Sequence, residues 1–125
     1  MALKGLIHMT VTLFKEIYEC EKVDMRRIFP TKQLFVKKIH ERFEDDDRIA
    51  CIIVFGSAVS NLCNKWSDLD LLVRLKEDAV NLDNKNDISE VIQELCDWNA
   101  DIIWYDRIDK SDRIYENILK GVQIV

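Results

Sequence analysis

Two short motifs ten residues apart hold the groups best suited to chemistry in this chain. The first is Gly56-Ser57, which closes the apolar run Ile49-Ala50-Cys51-Ile52-Ile53-Val54-Phe55. The second is Asp68-Leu69-Asp70, which opens the run Leu71-Leu72-Val73. Alternate side chains of a strand share a face, so Asp68 and Asp70 point together, away from Leu69, Leu71 and Val73. Two adjacent carboxylates repel each other and resist burial. A divalent cation answers both problems, since Mg²⁺ takes hard carboxylate oxygens and completes its shell with phosphate and water. The other reading of Asp-x-Asp by itself is an exposed strand end carrying two solvated aspartates.

The elements that must hold these groups follow from local pattern. The run 49–55 carries no charge and is rich in β-branched residues, which predicts a strand covered on both faces. Gly56 breaks it where the backbone must turn sharply or come close to a ligand. A loop from Ala58 to Ser67 leads to the second strand. A third β-rich run, Ala100-Asp101-Ile102-Ile103-Trp104-Tyr105, brings another aspartate to a strand head; Asp97 and Asp106 lie nearby.

Gly-Ser, ten residues, then Asp-x-Asp resembles the signature of the DNA polymerase beta-like nucleotidyltransferase superfamily. Within it the chain is most similar to the minimal nucleotidyltransferases (MNT), small domains often encoded beside a HEPN-type partner. The resemblance rests on Gly56, Ser57, Asp68 and Asp70 and runs from about Lys32 to Val125. It implies an α/β (α+β) fold, a small mixed β-sheet with helices packed on one side. It also implies transfer of a nucleoside monophosphate, AMP from ATP above all, to a hydroxyl with release of pyrophosphate. Asp68, Asp70 and Asp101 would be catalytic residues and the ligands of two Mg²⁺ ions, with Mn²⁺ as an alternative. Gly56, Ser57, Ser67 and Lys65 would contact the nucleotide, although Ser67 and Lys65 read equally well as solvated loop positions. Many relatives place basic residues directly after Gly-Ser, whereas Ala58-Val59-Ser60-Asn61 follow here. Phosphate charge would then fall to the metals, Lys65, Arg74 or a partner.

The resemblance further implies an acceptor on another macromolecule, because the chain has no room for a separate substrate-binding domain. In the two-component systems it resembles, the transferase is an antitoxin that adds AMP to a tyrosine of a HEPN-type RNase. No Arg-x4–6-His motif occurs here, so the chain could only be the transferase half. A second expectation is a module that keeps the fold and neutralises or scaffolds a partner without turnover.

Composition bounds these readings. A chain of 125 residues, 48% hydrophobic with 1 proline and 3 glycines, is long enough for one core and too short for two good ones. The net charge of −5 argues against a dedicated nucleic-acid binder. Residues 49–125 carry eight Lys/Arg against fourteen Asp/Glu, so the acidic half contains the carboxylate motif. Four scattered cysteines form no Cys-x-x-Cys, and most read as small core residues. With no signal-like N-terminus and no apolar run of ~20 residues, the expected setting is the cytoplasm.

Before residue 30, Val11, Leu13, Phe14, Ile17, Tyr18 and Cys20 recur at three- and four-residue spacing. That stripe predicts a helix from Thr10 or Thr12 to about Phe29, ended by Pro30. The division expected is thus a helical extension over 1–30 and a nucleotidyltransferase domain over 31–125, the extension either completing the core or forming a homo-oligomer or partner surface. A second helix is expected to start at a Thr31 cap and to turn Leu34, Phe35, Ile39 and Phe43 inward. Glu44-Asp45-Asp46-Asp47 reads as a solvated turn, because acidic groups are disfavoured at a helix C-terminus. His8 and His40 are expected at surface or half-buried positions. Leu75 to Lys85 reads as a loop, Ile88–Trp98 as a helix capped by Asp87 or Ser89, Ser111–Lys120 as a last helix stopped by Gly121, and Val122–Val125 as a short final strand.

Overall fold

A computed structural model describes residues 11–125. His8 and Thr10 lie outside the described residues. Four strands form one sheet: β1 (Ile49–Phe55), β2 (Leu69–Leu75), β3 (Ala100–Trp104) and β4 (Val122–Gln123). They are ordered β3-β2-β1-β4. β1 pairs antiparallel with both β2 and β4, whereas β2 and β3 run parallel. The parallel pair needs a crossover, supplied by the helix between β2 and β3. The sheet is therefore mixed, as expected.

Three helices accompany it: α1 (Pro30–Phe43), α2 (Leu82–Leu95) and α3 (Arg113–Leu119). Val36, Ile39 and Phe43 of α1 and Ile88 and Ile92 of α2 are fully buried with Ile52, Val54, Leu69, Leu71 and Val73 of the sheet. Burying each such side chain is worth about 1.5–3 kcal/mol, so this face holds most of the stabilising apolar contact. The short α3 contributes Ile114 and Ile118 to a smaller cluster with Ile53, Phe55, Leu72 and Ile103 on the opposite face. Alternation along β1 feeds both clusters, which accounts for its uncharged sequence. Gly121, which follows the Lys120 cap of α3, lets the chain turn tightly into β4; a Cβ there would lie 2.7 Å from Ile53 Cγ2.

Several element ends differ from expectation. α1 begins at Pro30 in place of a Thr31 cap, because proline has no N–H to leave unsatisfied in the first turn and its φ already suits a helix. Leu34 and Phe35 are only partly buried, and Gln33 and His40 occupy the inner face with Val36 and Ile39. α2 starts six residues earlier than the apolar pattern suggested, since Asn81 accepts the Asn84 N–H at 2.8 Å and caps it. It ends at Leu95, where Asp97 and Trp98 turn the chain at positive φ. α3 is capped by Asp112. Within the acidic run, Asp46 is partly buried and paired with Arg48 at 2.8 Å, so that stretch is a structured turn. Arg48 holds the Asp46 carboxyl below the usual range. Cys63 and Cys96 are buried and Cys20 and Cys51 half-buried; all four are free thiols.

The main correction concerns the N-terminal segment. Residues 11–24 form no helix, and only Met25–Arg27 make a short 3-10 turn. Leu13 and Ile17 stay 58% and 55% exposed, so the apolar stripe is not buried as a stripe. The reason is tertiary. The buried Gln33 side chain accepts the N–H groups of Ile17 (2.8 Å) and Tyr18 (3.2 Å) and donates to the carbonyls of Lys15 (2.8 Å) and Ile28 (3.0 Å). Phe14 N–H donates to the Arg26 carbonyl, which folds the segment back on itself. These bonds satisfy backbone groups a helix would otherwise use, while Val23, Met25 and Ile28 supply the burial. The segment is a strap held on α1 through one amide.

Replacing Gln33 by alanine is expected to lower stability by about 1–3 kcal/mol. Hydrogen exchange checks the cause: the Ile17 and Tyr18 amides should lose protection before those of β1 and β2.

Candidate active site

At the end of β1 the sheet pairing sets three positions side by side. Phe55 lies opposite Asp70 across the antiparallel pair, and Asp70 lies opposite Asp101 across the parallel one. The residue after Phe55 is Gly56, whose φ of 71° is a conformation L side chains rarely adopt. A Cβ at Gly56 would press on the Asp70 carboxylate. Gly56 is thus required twice, for the turn and for the close approach of backbone to carboxylate. The chain then makes one 3-10 turn, Gly56–Val59, in which the Ser57 carbonyl accepts both the N–H (3.0 Å) and the hydroxyl (3.1 Å) of Ser60. The Ala58 carbonyl accepts the Phe29 N–H at 2.8 Å, fastening the turn to the start of α1.

Asp70 is half-buried, while Asp68 and Asp101 are exposed beside it. Burial, reinforced by the like charges of Asp101 and Asp68, pushes the Asp70 carboxyl up to about 6. None of the three forms an ion pair among the described residues. Among the described residues, no three His, Cys, Asp or Glu side chains already converge on a metal-holding position. In donor type and placement, an unpaired, half-buried carboxylate flanked by two more fits a hard divalent cation.

The remaining candidates divide. Ser57 sits in the 3-10 turn that follows β1. Ser67 Oγ accepts the Asn64 N–H at 3.1 Å, so its hydroxyl serves the loop's own turn. Lys65 Nζ lies 4.4 Å from the centroid of the exposed Trp66 ring, a cation–π contact. Arg74 stacks on Tyr105 at 4.3 Å, at the other end of β2. One contributor escaped sequence reasoning altogether. Lys32, in the first turn of α1, is buried, and its ammonium donates to the Ser67 carbonyl immediately before Asp68. It anchors the loop at the point where the carboxylate strand begins. Nothing in its local sequence distinguishes it from the solvated lysines of the same helix.

A mixed four-stranded sheet whose acidic strand heads meet a glycine turn defines the class of domain. Residues 36–125 match the family model described as a nucleotidyltransferase domain, and the chain belongs to that family. This bears out the resemblance drawn from Gly56-Ser57 and Asp68-x-Asp70. The fold is also similar to that of a solved chain from a complex of a tri-AMPylated HEPN toxin with its MNT antitoxin, from Shewanella oneidensis. That match has a TM-score of 0.53 and 18% identity, and covers 75% of this chain and 71% of the other. No curated protein matched the sequence.

Two outcomes follow from the site. Because the Asp70 carboxyl is raised, the folded chain holds a proton that the unfolded chain releases at about 3.8. The stability this contributes is complete below about 3.8 and is lost as pH rises through about 6. Asp46 and Asp106 act with the opposite sign, but below that window, because Arg48 and Lys85 hold their carboxyls down. Denaturant titration in chelator should therefore show Asp70→Asn gaining on the wild type as pH rises from about 4 to about 7. Gly56→Ala should destabilise by more than about 1 kcal/mol, from positive φ and the clash with Asp70 together; its thermal midpoint measures this.

Proposed function

We propose that the chain is a metal-dependent nucleotidyltransferase that moves AMP from ATP to a hydroxyl on a partner protein, a tyrosine of a HEPN-type toxin. The observation that carries this reading is the register that sets Gly56, Asp70 and Asp101 on neighbouring strands, with Asp68 beside them. Family membership supports transfer chemistry in general. The HEPN partner is suggested by the structural neighbour, a chain of an MNT–HEPN complex whose toxin is AMPylated.

Asp68, Asp70 and Asp101 would hold Mg²⁺ ions, which when bound neutralise phosphate charge and favour the ionised acceptor hydroxyl. The chain's own contributions are positional. Gly56, lacking a side chain, leaves room for the α-phosphate beside the strand heads, and Ser57 offers a hydroxyl and an N–H to its oxygens. The acceptor oxygen attacks the α-phosphorus in line. The bond from that phosphorus to the bridging oxygen breaks, and pyrophosphate leaves with its electron pair. Asp101, exposed at the head of β3, takes the hydroxyl proton. The raised Asp70 carboxyl means that protons compete for this site below about pH 6.

A second reading, a module that binds its partner without turnover, draws on a specific feature. The turn after Gly56-Ser57 carries no basic residue, and Lys65 rests on Trp66. Incubation with a HEPN-type partner, Mg²⁺ and α-labelled ATP separates the two. Transfer of one or more nucleoside monophosphates to the partner is expected. In Asp70→Asn it should fall by at least roughly a hundredfold, the scale at which losing one preorganised charged group is felt. Tight partner binding with no label transferred would establish the second reading.

A further inference from the structure

The family pattern of basic residues after Gly-Ser is missing here, yet cations reach the same turn from distant parts of the chain. A groove of about 840 Å³ opens beside Gly56 and Ser57 and is lined also by Arg27, Asn117, Lys120 and Leu62. Arg27 comes from the 3-10 turn ahead of α1, and Lys120 from the residue that ends α3. They are brought together by a hydrogen bond from Arg27 Nη2 to the Lys120 carbonyl, 3.1 Å long across 93 positions of sequence. Arg27 Nε is buried and has no partner among the described residues. That is an unusual state for a group that normally donates. Its neighbour Arg26 is engaged with Asp24, whereas neither Arg27 nor Lys120 is in an ion pair among the described residues.

The charge of the groove is the deciding feature. In a chain of net charge −5, no aspartate or glutamate among the described residues lines it, and the two charged residues among them that do, Arg27 and Lys120, are cations. Ser57, Ser60 and Asn117 add neutral polar groups, while Leu62 and Val59 offer apolar wall. The volume lies in the range that holds a nucleotide-sized ligand. The three carboxylates are absent from its lining, and the missing Cβ of Gly56 faces Asp70. A triphosphate whose α-phosphate sits at the carboxylates beside Gly56 would extend its β- and γ-phosphates toward these cations.

We propose that Arg27 and Lys120 bind the β- and γ-phosphates of the NTP and carry the charge of the departing pyrophosphate, replacing the basic residues missing after Ser57. Arg27 supplies a guanidinium charge held in place by the Lys120 carbonyl, with its remaining N–H groups for phosphate oxygens, and Lys120 an exposed point charge. This assignment rests on the transferase reading. It also gives the N-terminal strap a role in the site, since the strap sets the position of Arg27.

Titration calorimetry of the full chain with ATP and with AMP, each with Mg²⁺, tests it. Lys120→Ala and Arg27→Gln should each weaken ATP by about tenfold while leaving AMP unchanged, because AMP lacks the two phosphates concerned. Lys120 is exposed, so its variant keeps the test open even where Arg27→Gln loosens the strap. Unchanged ATP affinity in Lys120→Ala overturns the proposal, as does equal weakening of ATP and AMP. Loss of partner binding with ATP affinity intact also overturns it, and would make the groove a seat for an acidic protein segment. A wild-type chain that binds no NTP would remove the transferase reading itself, and that result appears before any variant is made.

Discussion

Like charges at the heads of two neighbouring strands are the constraint around which this molecule is arranged. Asp70 and Asp101 are register partners across the parallel pair, and Asp68 precedes the same strand by one residue. Left to themselves, three carboxylates would separate into solvent. The sheet denies Asp70 that freedom, because Leu69, Leu71 and Val73 lock β2 into the main core on its other face. A strand cannot shift by one residue to relieve the repulsion without turning its whole apolar set outward. Hydrophobic burial on one face thus holds an electrostatically unfavourable arrangement on the other, a pattern more often met at functional sites than in purely structural ones.

The surrounding clamps serve that arrangement. Lys32 holds the Ser67 carbonyl one residue before Asp68. The Phe29 N–H holds the Ala58 carbonyl one residue after Ser57. Both come from the start of α1, so a single helix end fixes the loop entering the carboxylate strand and the turn leaving β1. Farther along the same helix, His40 Nδ1–H donates to the Ile124 carbonyl at 2.6 Å and so ties the β4 end of the sheet to α1. α1 is the frame of the site even though none of its residues belongs to the motif.

Much of this was legible in the chain. β1, β2, β3 and the turn at Gly56 follow from apolar runs punctuated by glycine and aspartate, and these are short-range signals. The Gly-Ser and Asp-x-Asp spacing pointed to the family because a close backbone approach and a pair of carboxylates on one strand face both leave marks in local sequence. The N-terminal segment departs from its local pattern for the complementary reason. Its three- and four-residue apolar spacing is a real helical signal, but Gln33 captures the backbone of Ile17, Tyr18 and Lys15 from a distance, and propensity yields to those bonds.

The sequence by itself therefore determined the strands and helices that follow Pro30 and set aspartates and a glycine at the strand ends. Only the tertiary structure decided which distant groups meet them: Lys32 at Ser67, Gln33 at the strap, and Arg27 with Lys120 beside Ser57. Period and punctuation record what a residue does with its neighbours along the chain. A buried lysine, glutamine or arginine takes its meaning from a carbonyl tens of residues away, and no local pattern records that partner.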